Sequence, residues 1–597
     1  MNHRNNILYM FIILFVLMSK FLFAGPLFLV GNRDMLVGAS SEGNISFVNW
    51  QGIGGSNQIG SYDNSAGLPI KENLFLEPTA FFLKVQDSIY SLTDSTITGK
   101  YIKPEIPLIK LKGTKDEGNL AWEEEIFVHP SKNVLFIHFV MEDNTQPYSI
   151  EQLISYQNIS PSPPPIPESP FLIPIENLRS NFCSFWDMTH HALVHFRPYS
   201  LSKTDLQRFE QLNKDSAINP KFWQKFEEGT YIGVSSPNPI EGSAIIDSPP
   251  INTTLSEIAT RTFPKKPYML GDTCSAMILK STHTTESQQV FTIFYAFAKN
   301  YSELEELVDW AGKQNYEHAR EELINFWQTK WDETKKSIKE DFAHTWLLLS
   351  LSFDPSTGAI LPNLPEPICN NKLSLQDSFL LVQAMNDMNM LDFSKKLIFF
   401  WNNVGKQRKQ TAKLTFPLQS YPDGTPATPD YWADISQTVF FISMIYVQNN
   451  LLSFTEKKEF LNEVWDVLVW SVDNLCLWKV PGELLPAPSY TSSLNRDVQS
   501  ANLVIRTLIG IQSGIQLART AYKPVPEFWE ERDREIQTWI RLAILNKTTL
   551  EIFPETDFTY WKKFFPNNNP IWKLPVKYNG TTILLKDLNN TTNKNDI

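Results

Sequence analysis

The chain has 597 residues, of which 42% are hydrophobic and 20% charged, a composition typical of packed globular proteins that excludes wholesale disorder. The length predicts two to four domains, or one large toroid with an additional module. Because the formal net charge is −12 and no Lys- or Arg-rich patch stands out, nucleic acid is not expected as a partner.

The first 24 residues are typical of a secretory signal, with a basic start, an apolar run over 7–18 and the small residue Ala24 at the end. The apolar run is shorter than the roughly 20 residues that span a bilayer. Leu22 fits poorly at a small-residue cleavage site and Lys20 interrupts the apolar stretch, so an uncleaved N-terminal anchor is the alternative. We expect a secreted or periplasmic protein with no membrane contact after the signal is removed.

Residues 25–300 contain many short strand-like runs, such as 133–141 and 290–297, which are rich in β-branched and aromatic residues. Because no helical repeats separate these runs, they predict a large antiparallel β-sandwich. The proline-rich stretch 160–167 cannot join a central strand ladder, so we expect it in a surface loop.

Three histidines, His190, His191 and His195, lie within the segment 187–195. If this segment is a single strand, His191 and His195 share a face but stand about 13 Å apart, too far to hold one ion together. We therefore expect ordinary packing here, and neither a metal nor a cofactor in this protein.

The pattern becomes helical at Ser302, which forms a predicted capping box with Glu305. The clearest amphipathic segments are 315–336, 340–352, 376–389, 391–404, 434–449, 456–474, 496–520 and 526–545. Paired helices joined by loops rich in Pro, Asn, Asp and Gly predict stacked α-hairpins. The expected fold is therefore multi-domain α+β, with a sandwich at 25–300, linker helices at 301–338 and a helical toroid at 339–597.

The four cysteines of an exported chain could form disulfides in three pairings. The simplest pairing joins cysteines within each half of the chain, Cys183 with Cys274 and Cys369 with Cys476. The alternative is four buried thiols, because a chain of this size does not need disulfides for stability.

Carboxylates and Trp residues recur in the loops that lead into the predicted helices, at Gln376-Asp377, at Trp432 to Asp434 and at 476–483. The inner helices of a toroid point the same way, so these loops would share one mouth, where carboxylates could bond sugar hydroxyls and indoles could stack on sugar rings. The alternative is that Asp377 and Asp434 only stabilise helix N-termini. The charged run 529–535 is interpreted as a solvated helix face.

Several short motifs, in order, resemble the glycoside hydrolase family 15 glucoamylases and their bacterial relatives. The matching segments are 30–33 with 42–50, 357–366, 374–377, 421–427, 431–438 and 476–479. The resemblance implies a β-supersandwich followed by an (α/α) six-hairpin toroid that is incomplete at its C-terminal end. It also implies release of glucose from α-glucans with inversion, which requires a carboxylic acid and a carboxylate base about 6.5–9.5 Å apart.

Residue by residue, Asp377 matches the Asp of the family's W-x-R-D signature, while Gln376 stands where the family has Arg. Trp432 and Asp434 lie in the segment that resembles the family's Q-x-D-E-T helix start. Trp478 and Lys479 match the D-L-W-E motif, so Lys479 occupies the position of the general acid. Glu483 is the nearest acid that could replace it, and no match to the general base is identified.

Two functions therefore remain open. One is a glucoamylase-like hydrolase of α-glucans or oligosaccharides that uses Glu483 as its acid. The other is a catalytically inactive carbohydrate-binding protein whose binding residues would be Gln376, Asp377, Trp432, Asp434 and Trp478. A related disaccharide phosphorylase would need a phosphate site, and no Arg, Lys, His and Ser cluster suggests one. The sequence leaves the oligomeric state open.

Overall fold

The protein is described from a computed structural model. It covers residues 28–32, 34–50, 58, 62–63, 68–69, 79–85, 88–115, 120–143, 150–159, 183–198, 229–247, 268–270, 273–285, 288–313, 316–360, 372–430, 434–491, 496–552, 561–562 and 564–588. The predicted signal peptide, the proline-rich stretch, Cys369, Trp432 and the side chain of Cys274 lie outside the described residues. Among the helices that are described, none has the length and apolar character needed to span a membrane.

The described residues divide into two compact units. We call 28–355 the β unit, and 356–360 together with 372–588 the helical unit. The division thus falls just after a short helix, Ala343–Ser352, which belongs to the β unit.

Antiparallel strands make up most of the β unit. In chain order they are β1 Phe28–Gly31, β2 Met35–Ala39, β3 Ile45–Trp50, β4 Tyr62–Asp63, β5 Leu68–Pro69, β6 Thr79–Val85, β7 Ser88–Ser91, β8 Thr96–Lys103, β9 Ile106–Lys115, β10 Leu120–Val128, β11 Val134–Asp143, β12 Ile150–Asn158, β13 Cys183–Asp187, β14 Ala192–Pro198, β15 Gly229–Ser235, β16 Ile240–Asp247, β17 Tyr268–Leu270, β18 Thr273–Lys280, β19 Thr282–Thr285 and β20 Gln288–Ala298.

The larger sheet has ten strands in the order β17-β13-β14-β15-β20-β11-β10-β9-β8, with β19 also paired to β20, and a second sheet has the order β16-β18-β12-β6-β7. One hydrophobic core contains side chains from both sheets, such as Ile137 and Phe291 from the larger and Leu153 and Met277 from the smaller. Alternate residues of each strand therefore face a shared interior, as in a sandwich. This confirms the predicted antiparallel sheets that precede the helices.

The two strand runs singled out in the sequence, 133–141 and 290–297, become β11 and β20. They pair directly in the middle of the larger sheet, with Ile137 opposite Ile293. Their near-continuous apolar character follows from this central position.

The turn between β2 and β3 explains the glycine of the segment 42–50. Gly43 has a φ of +91°, and a Cβ placed on it would lie 2.1 Å from Oε2 of Glu124 on β10. Any larger residue would be strained by its backbone and would collide with this buried carboxyl. Gly43 is therefore required by packing inside the sandwich.

The segment 187–195 is a tight hairpin rather than the single strand expected from the sequence. The Asp187 carboxylate accepts hydrogen bonds from the backbone N–H groups of Thr189 (2.9 Å) and His190 (3.4 Å). His191 takes a left-handed conformation with φ of 51°, and the chain then returns as β14. Asp187 thus induces a turn, which a period-of-two pattern does not reveal.

The helices follow the predicted spans closely. They are α1 Tyr301–Lys313, α2 Tyr316–Thr334, α3 Ala343–Ser352, α4 Leu375–Asp387, α5 Leu391–Gln410, α6 Ser436–Leu451, α7 Phe454–Leu477, α8 Ala501–Thr520 and α9 Glu527–Asn546. The predicted capping box at the start of α1 is displaced by two residues. Asn300, not Ser302, accepts the N–H of Glu303 (2.8 Å), and the Glu303 carboxylate accepts the N–H of Lys299 (3.0 Å).

The helical unit contains three α-hairpins, α4/α5, α6/α7 and α8/α9, followed by a small sheet of Leu550–Glu551, Pro575–Tyr578 and Thr581–Leu584. Helices α4, α6 and α8 pack side by side in that order and form the layer that we call inner, while α5, α7 and α9 form the outer layer. Gly510 and Gly514 let α8 approach α7, because a Cβ on either would lie 2.6 Å or less from Leu475 or Val472. A complete ring of six hairpins stays a prediction.

Candidate functional site

The loops that lead into the three inner helices meet at one end of the helical unit. The backbones of Leu373 and Ser420 exchange two hydrogen bonds of 2.8 and 2.9 Å, which joins the start of α4 to the loop before α6. The Ser489 hydroxyl accepts the N–H of Ile435 (2.9 Å), which joins the start of α6 to the loop before α8. We call this end, defined by Leu373, Ser420, Asp434, Trp478 and Ser489, the mouth.

Asp434 lies at the centre of the mouth, just before α6. Its carboxylate accepts the N–H (2.9 Å) and the hydroxyl (2.6 Å) of Ser436, and the side-chain amide of Gln437 (3.1 Å). The Ser489 hydroxyl also lies 3.3 Å from Asp434 Oδ1. The carboxylate therefore caps its own helix and connects two mouth loops.

Asp377 has a similar position in the first turn of α4, next to the half-buried Gln376. Its N–H donates to the hydroxyl oxygen of the N-cap residue Ser374 (3.1 Å), and the Ser374 hydroxyl donates to Asp377 Oδ2 (2.6 Å). This reciprocal pair is a capping arrangement, so the structure gives Asp377 the helix-stabilising contacts that were the alternative to sugar binding.

Trp478 begins a loop that closes on itself. Its indole N–H donates to the carbonyl of Ala487 (3.0 Å), and the N–H of Ala487 donates to the carbonyl of Trp478 (3.1 Å). At the tip, the N–H of Glu483 donates to the carbonyl of Val480 (3.0 Å), and Gly482 has a φ of +84°. The side chain of Glu483, the candidate replacement acid, is exposed there.

Lys479 forms an ion pair with Glu535 of α9. Its Nζ lies 3.0 and 3.1 Å from the two carboxylate oxygens, and Nη1 of Arg532 lies 2.7 Å from Oε2 of the same carboxylate. Burial raises the pKa of Glu535, but the hydrogen bonds from Arg532 and Lys479 outweigh it and the net pKa is lowered. The Lys479 side chain is therefore a cation held by an outer-layer carboxylate.

The run 529–535 is only in part the solvated face expected from its alternating charges, with Glu531 and Arg534 exposed. Trp529 and Arg532 are 0% and 2% exposed, because residues 529, 532 and 536 face the interior at helical spacing. The indole N–H of Trp529 donates to Asp473 of α7 (2.7 Å), whose pKa is raised by burial. Counting charges along the run conceals this inward-facing stripe.

The described cysteines are reduced. Cys183 in β13 and Cys476 near the end of α7 are buried free thiols, so neither the Cys183–Cys274 nor the Cys369–Cys476 bridge is formed. Burial raises the pKa of both thiols, first through loss of solvation. Burial and the raised pKa both make a thiol unreactive.

One cluster of the described residues has the side chains for a cation, Asp187, His190 and Glu305 in the β unit, whose donor atoms lie within 4.8 Å of one another. In the structure His190 instead pairs with Asp309 (2.7 Å) and Glu305 (3.3 Å). Burial lowers the pKa of His190, but Asp309, Asp187 and Glu305 together raise it by more, so the net pKa is raised. The structure thus accounts for the cluster as a network of contacts between the His190 imidazole and the acids around it.

His195 lies apart from this cluster and is fully buried. Its ring nitrogens lie 2.8 Å from the Ser184 hydroxyl and 3.0 Å from the Ser275 hydroxyl, and burial lowers its pKa to about 3. This neutral, hydrogen-bonded imidazole is a packing residue.

No protein-family model and no curated protein matches the sequence. The structure is similar to that of a bacterial glucoamylase solved in complex with acarbose, with a TM-score of 0.60 and 11% identity over 87% of this chain and 68% of that chain. A family GH92 α-mannosidase from Bacteroides thetaiotaomicron in complex with mannoimidazole aligns at a TM-score of 0.34 and 10% identity, over 86% of this chain and 62% of that chain. A family GH92 inverting mannosidase from the same organism aligns at a TM-score of 0.32 and 8% identity, over 85% of this chain and 63% of that chain.

At this identity the likeness to the glucoamylase concerns the fold alone. The chain spans about two thirds of the glucoamylase and slightly less of the mannosidases. The protein therefore has a glycosidase-like fold, in which antiparallel sheets precede a helical array.

Proposed function

We propose that this protein binds an α-glucan or a related oligosaccharide at the mouth of its helical unit and does not hydrolyse it. The observation that carries the proposal is the Lys479–Glu535 ion pair, because it compensates the charge of the residue that the motif order aligns with the general acid of the resembled family. The glucoamylase-like fold supports a carbohydrate as the ligand.

Hydrolysis with inversion needs one carboxyl that keeps its proton and a second that activates water. A lysine ammonium is a poor substitute, because its charge opposes the positive charge that develops on the sugar. Asp377 and Asp434 are hydrogen-bonded at helix starts. A carboxyl with a raised pKa exists at Asp473, but it bonds Trp529 between two outer-layer helices.

Binding has lower requirements, and the mouth meets them. The half-buried Asp434 would supply a carboxylate that accepts sugar hydroxyls in exchange for its 3.3 Å contact with the Ser489 hydroxyl. The half-buried Trp478 has its indole N–H bonded within the protein, so its apolar ring is the part available for stacking. Gln376 and Asp377 would complete the site from the start of α4, with Trp432 as a further stacking residue.

The second candidate is an active glucoamylase-like hydrolase in which Glu483 supplies the proton. Its position in the loop of Lys479 and the fold of the acarbose-bound glucoamylase favour it. The exposure of Glu483 counts against it, because a general acid needs an apolar or crowded pocket to keep its proton near neutral pH.

Maltoheptaose tests both functions with the purified full chain. We expect saturable binding by calorimetry and no glucose above a blank during long incubation at high protein concentration. Glucose release that Glu483→Gln abolishes, and that the exposed control Glu531→Gln leaves intact, would overturn the proposal and establish the hydrolase. Absence of binding by a folded protein would contradict both.

Export belongs to the same proposal, since an α-glucan outside the cytoplasm is reached only by a secreted or periplasmic protein. The apolar run at 7–18 supports it. Fractionation of the producing cells with N-terminal sequencing would show whether residues 1–24 are removed.

A further inference from the structure

We propose that Arg532 and Glu535 of α9 are positioning residues for the sugar-binding loop 478–487. They hold Trp478 and its neighbours in place at the mouth without touching the sugar themselves. This inference rests on the proposed function for its ligand, and on the contacts of the loop for its mechanism.

The loop is a preformed unit with a defined attachment surface. Two hydrogen bonds between Trp478 and Ala487 close its base, and the Val480–Glu483 bond closes its tip. A loop closed at both ends moves as one body, so a few anchors suffice to fix the orientation of the Trp478 ring.

Two of these anchors come from α9. Nη1 of Arg532 donates to the carbonyl of Leu484 (2.9 Å), on the returning side of the loop. Glu535 accepts from Lys479 on the outgoing side (3.0 and 3.1 Å) and from Arg532 itself (2.7 Å). The two residues therefore hold both sides of the loop to one helix.

The other anchors connect the loop to the mouth. The Gln499 side chain donates to the carbonyl of Pro486 (2.7 Å), and Ser489 contacts both Asp434 and Ile435. A continuous set of polar contacts thus leads from α9 through the loop to the carboxylate at the start of α6. Loosening the α9 contacts would free both sides of the loop from α9 while leaving the Gln499–Pro486 bond in place.

The two α9 residues are not equivalent. Arg532 is 2% exposed, and its Nε and Nη2 have no hydrogen-bond partner among the described residues. The carboxylate of Glu535 is what compensates the charge of this guanidinium. If Glu535 lost its charge, Arg532 would be a buried, poorly compensated cation next to Leu484. The half-exposed Lys479 can instead reach water when its partner is removed.

The test compares Glu535→Gln with Lys479→Met and with the control Glu530→Gln. Glu530 lies on the same helix as Glu535 and is paired with Arg519 of α8 (2.9 Å). Among the described residues, no hydrogen bond or ion pair joins Glu530 to the loop. Hydrogen exchange of the Glu483 and Ala487 amides reports loop order, exchange within α6 reports global stability, and maltoheptaose titration reports binding.

We expect Glu535→Gln to speed exchange of both loop amides and to weaken maltoheptaose binding, each by roughly tenfold, the factor expected from a charge-assisted hydrogen bond. Lys479→Met should change both by about threefold or less, as expected for an exposed pair. Glu530→Gln should change neither. Exchange within α6 should stay the same in all three.

Unchanged loop exchange in Glu535→Gln would overturn the inference. So would loop exchange that rises together with α6 exchange, since that would mark a general loss of stability. If Glu535→Gln does not fold, Arg532→Met, which removes the Nη1 that donates to both Leu484 and Glu535, should give the same two changes, and wild-type behaviour there would overturn the inference. If the wild-type chain binds no maltoheptaose, the proposed function fails, while the exchange data still decide whether α9 orders the loop.

Discussion

The interior of the β unit and the mouth of the helical unit use ionisable residues in opposite ways. In the sandwich, Glu124 and His195 are 1% and 0% exposed, and burial raises the pKa of the acid and lowers that of the imidazole. At the mouth, Asp377 and Asp434 are bound to helix starts and Lys479 to a carboxylate. The pKa shifts of Glu124 and His195 therefore mark a packed interior, whereas the proposed site is marked by the order of its motifs.

This contrast limits what a displaced pKa can indicate. Shifted values are enriched at functional sites, but a group that is simply buried gives the same signal. The pKa of Glu124 is raised by loss of solvation on burial. A functional acid must be buried enough to shift its pKa and still be accessible to a ligand. Glu124 in the sandwich core is buried but is not accessible.

The largest expected effect comes from Gly43, where the two units can be compared at matched glycines. Gly43→Ala would place a Cβ 2.1 Å from Glu124 Oε2 at a φ of +91°. We expect a loss of about 2–4 kcal/mol in the free energy of unfolding, the sum of overpacking and backbone strain. Denaturant titration of the variant would measure it.

Gly482 is the control in the helical unit. Its φ of +84° imposes the same backbone strain, but no atom lies within 4 Å of an added Cβ. Gly482→Ala should lose only about 1 kcal/mol. Equal losses at the two positions would contradict the role of the Glu124 contact.

The next effect concerns the charge of Glu124. Burial holds the pKa of Glu124 well above its usual value of 4.5 in the folded state, while the unfolded chain titrates near that value. As the pH rises above about 4.5 the unfolded state therefore releases a proton that the folded state keeps. The contribution of Glu124 to the free energy of unfolding should therefore fall as the pH rises from about 4.5 until the pH passes the folded-state pKa.

Glu124→Gln removes this titration while keeping the shape. We expect the variant to be more stable than wild type by about 1–3 kcal/mol at neutral pH, the usual range for a poorly satisfied buried polar group. At pH 4 the two proteins should be nearly equal. A variant that is less stable than wild type at neutral pH would contradict the interpretation of Glu124 as a poorly satisfied buried carboxyl.

The sequence predicts the order of sheets and helices well, because periodicity is a local property. The apolar runs at β11 and β20 and the helical spacing over 375–546 are both visible without the structure. The hairpin at 188–191 was missed because its cause is the side chain of Asp187, which accepts two backbone N–H groups. A strand pattern does not report such bonds.

The candidate site is predictable only in part. The loops at Asp377, Asp434 and Trp478 were identified as sharing a mouth, and the contacts of Ser420 and Ser489 place those described at one end of the helical unit. The partners of these residues were not predicted, since Glu535 and Arg532 belong to no motif and the 374–377 motif does not indicate that Ser374 is the N-cap of α4. Pairings such as Lys479 with Glu535 join positions 56 residues apart, and only the packing of α7 against α9 determines them.

The smallest effect concerns Asp377, where capping and sugar binding give different outcomes. Its reciprocal bonds with Ser374 predict that Asp377→Ala lowers the free energy of unfolding by about 1 kcal/mol, the usual loss for a removed helix cap. Asp392→Ala is the control, because Asp392 lies in the first turn of α5 without a side-chain cap bond at its N-cap residue Met390. Asp392→Ala should lose less stability than Asp377→Ala, since only the interaction with the helix dipole is affected.

Thermal melting and maltoheptaose titration of both variants separate the roles of Asp377. Unchanged melting with lost binding would make Asp377 a sugar ligand rather than a cap, and the mouth would then keep a carboxylate free for chemistry.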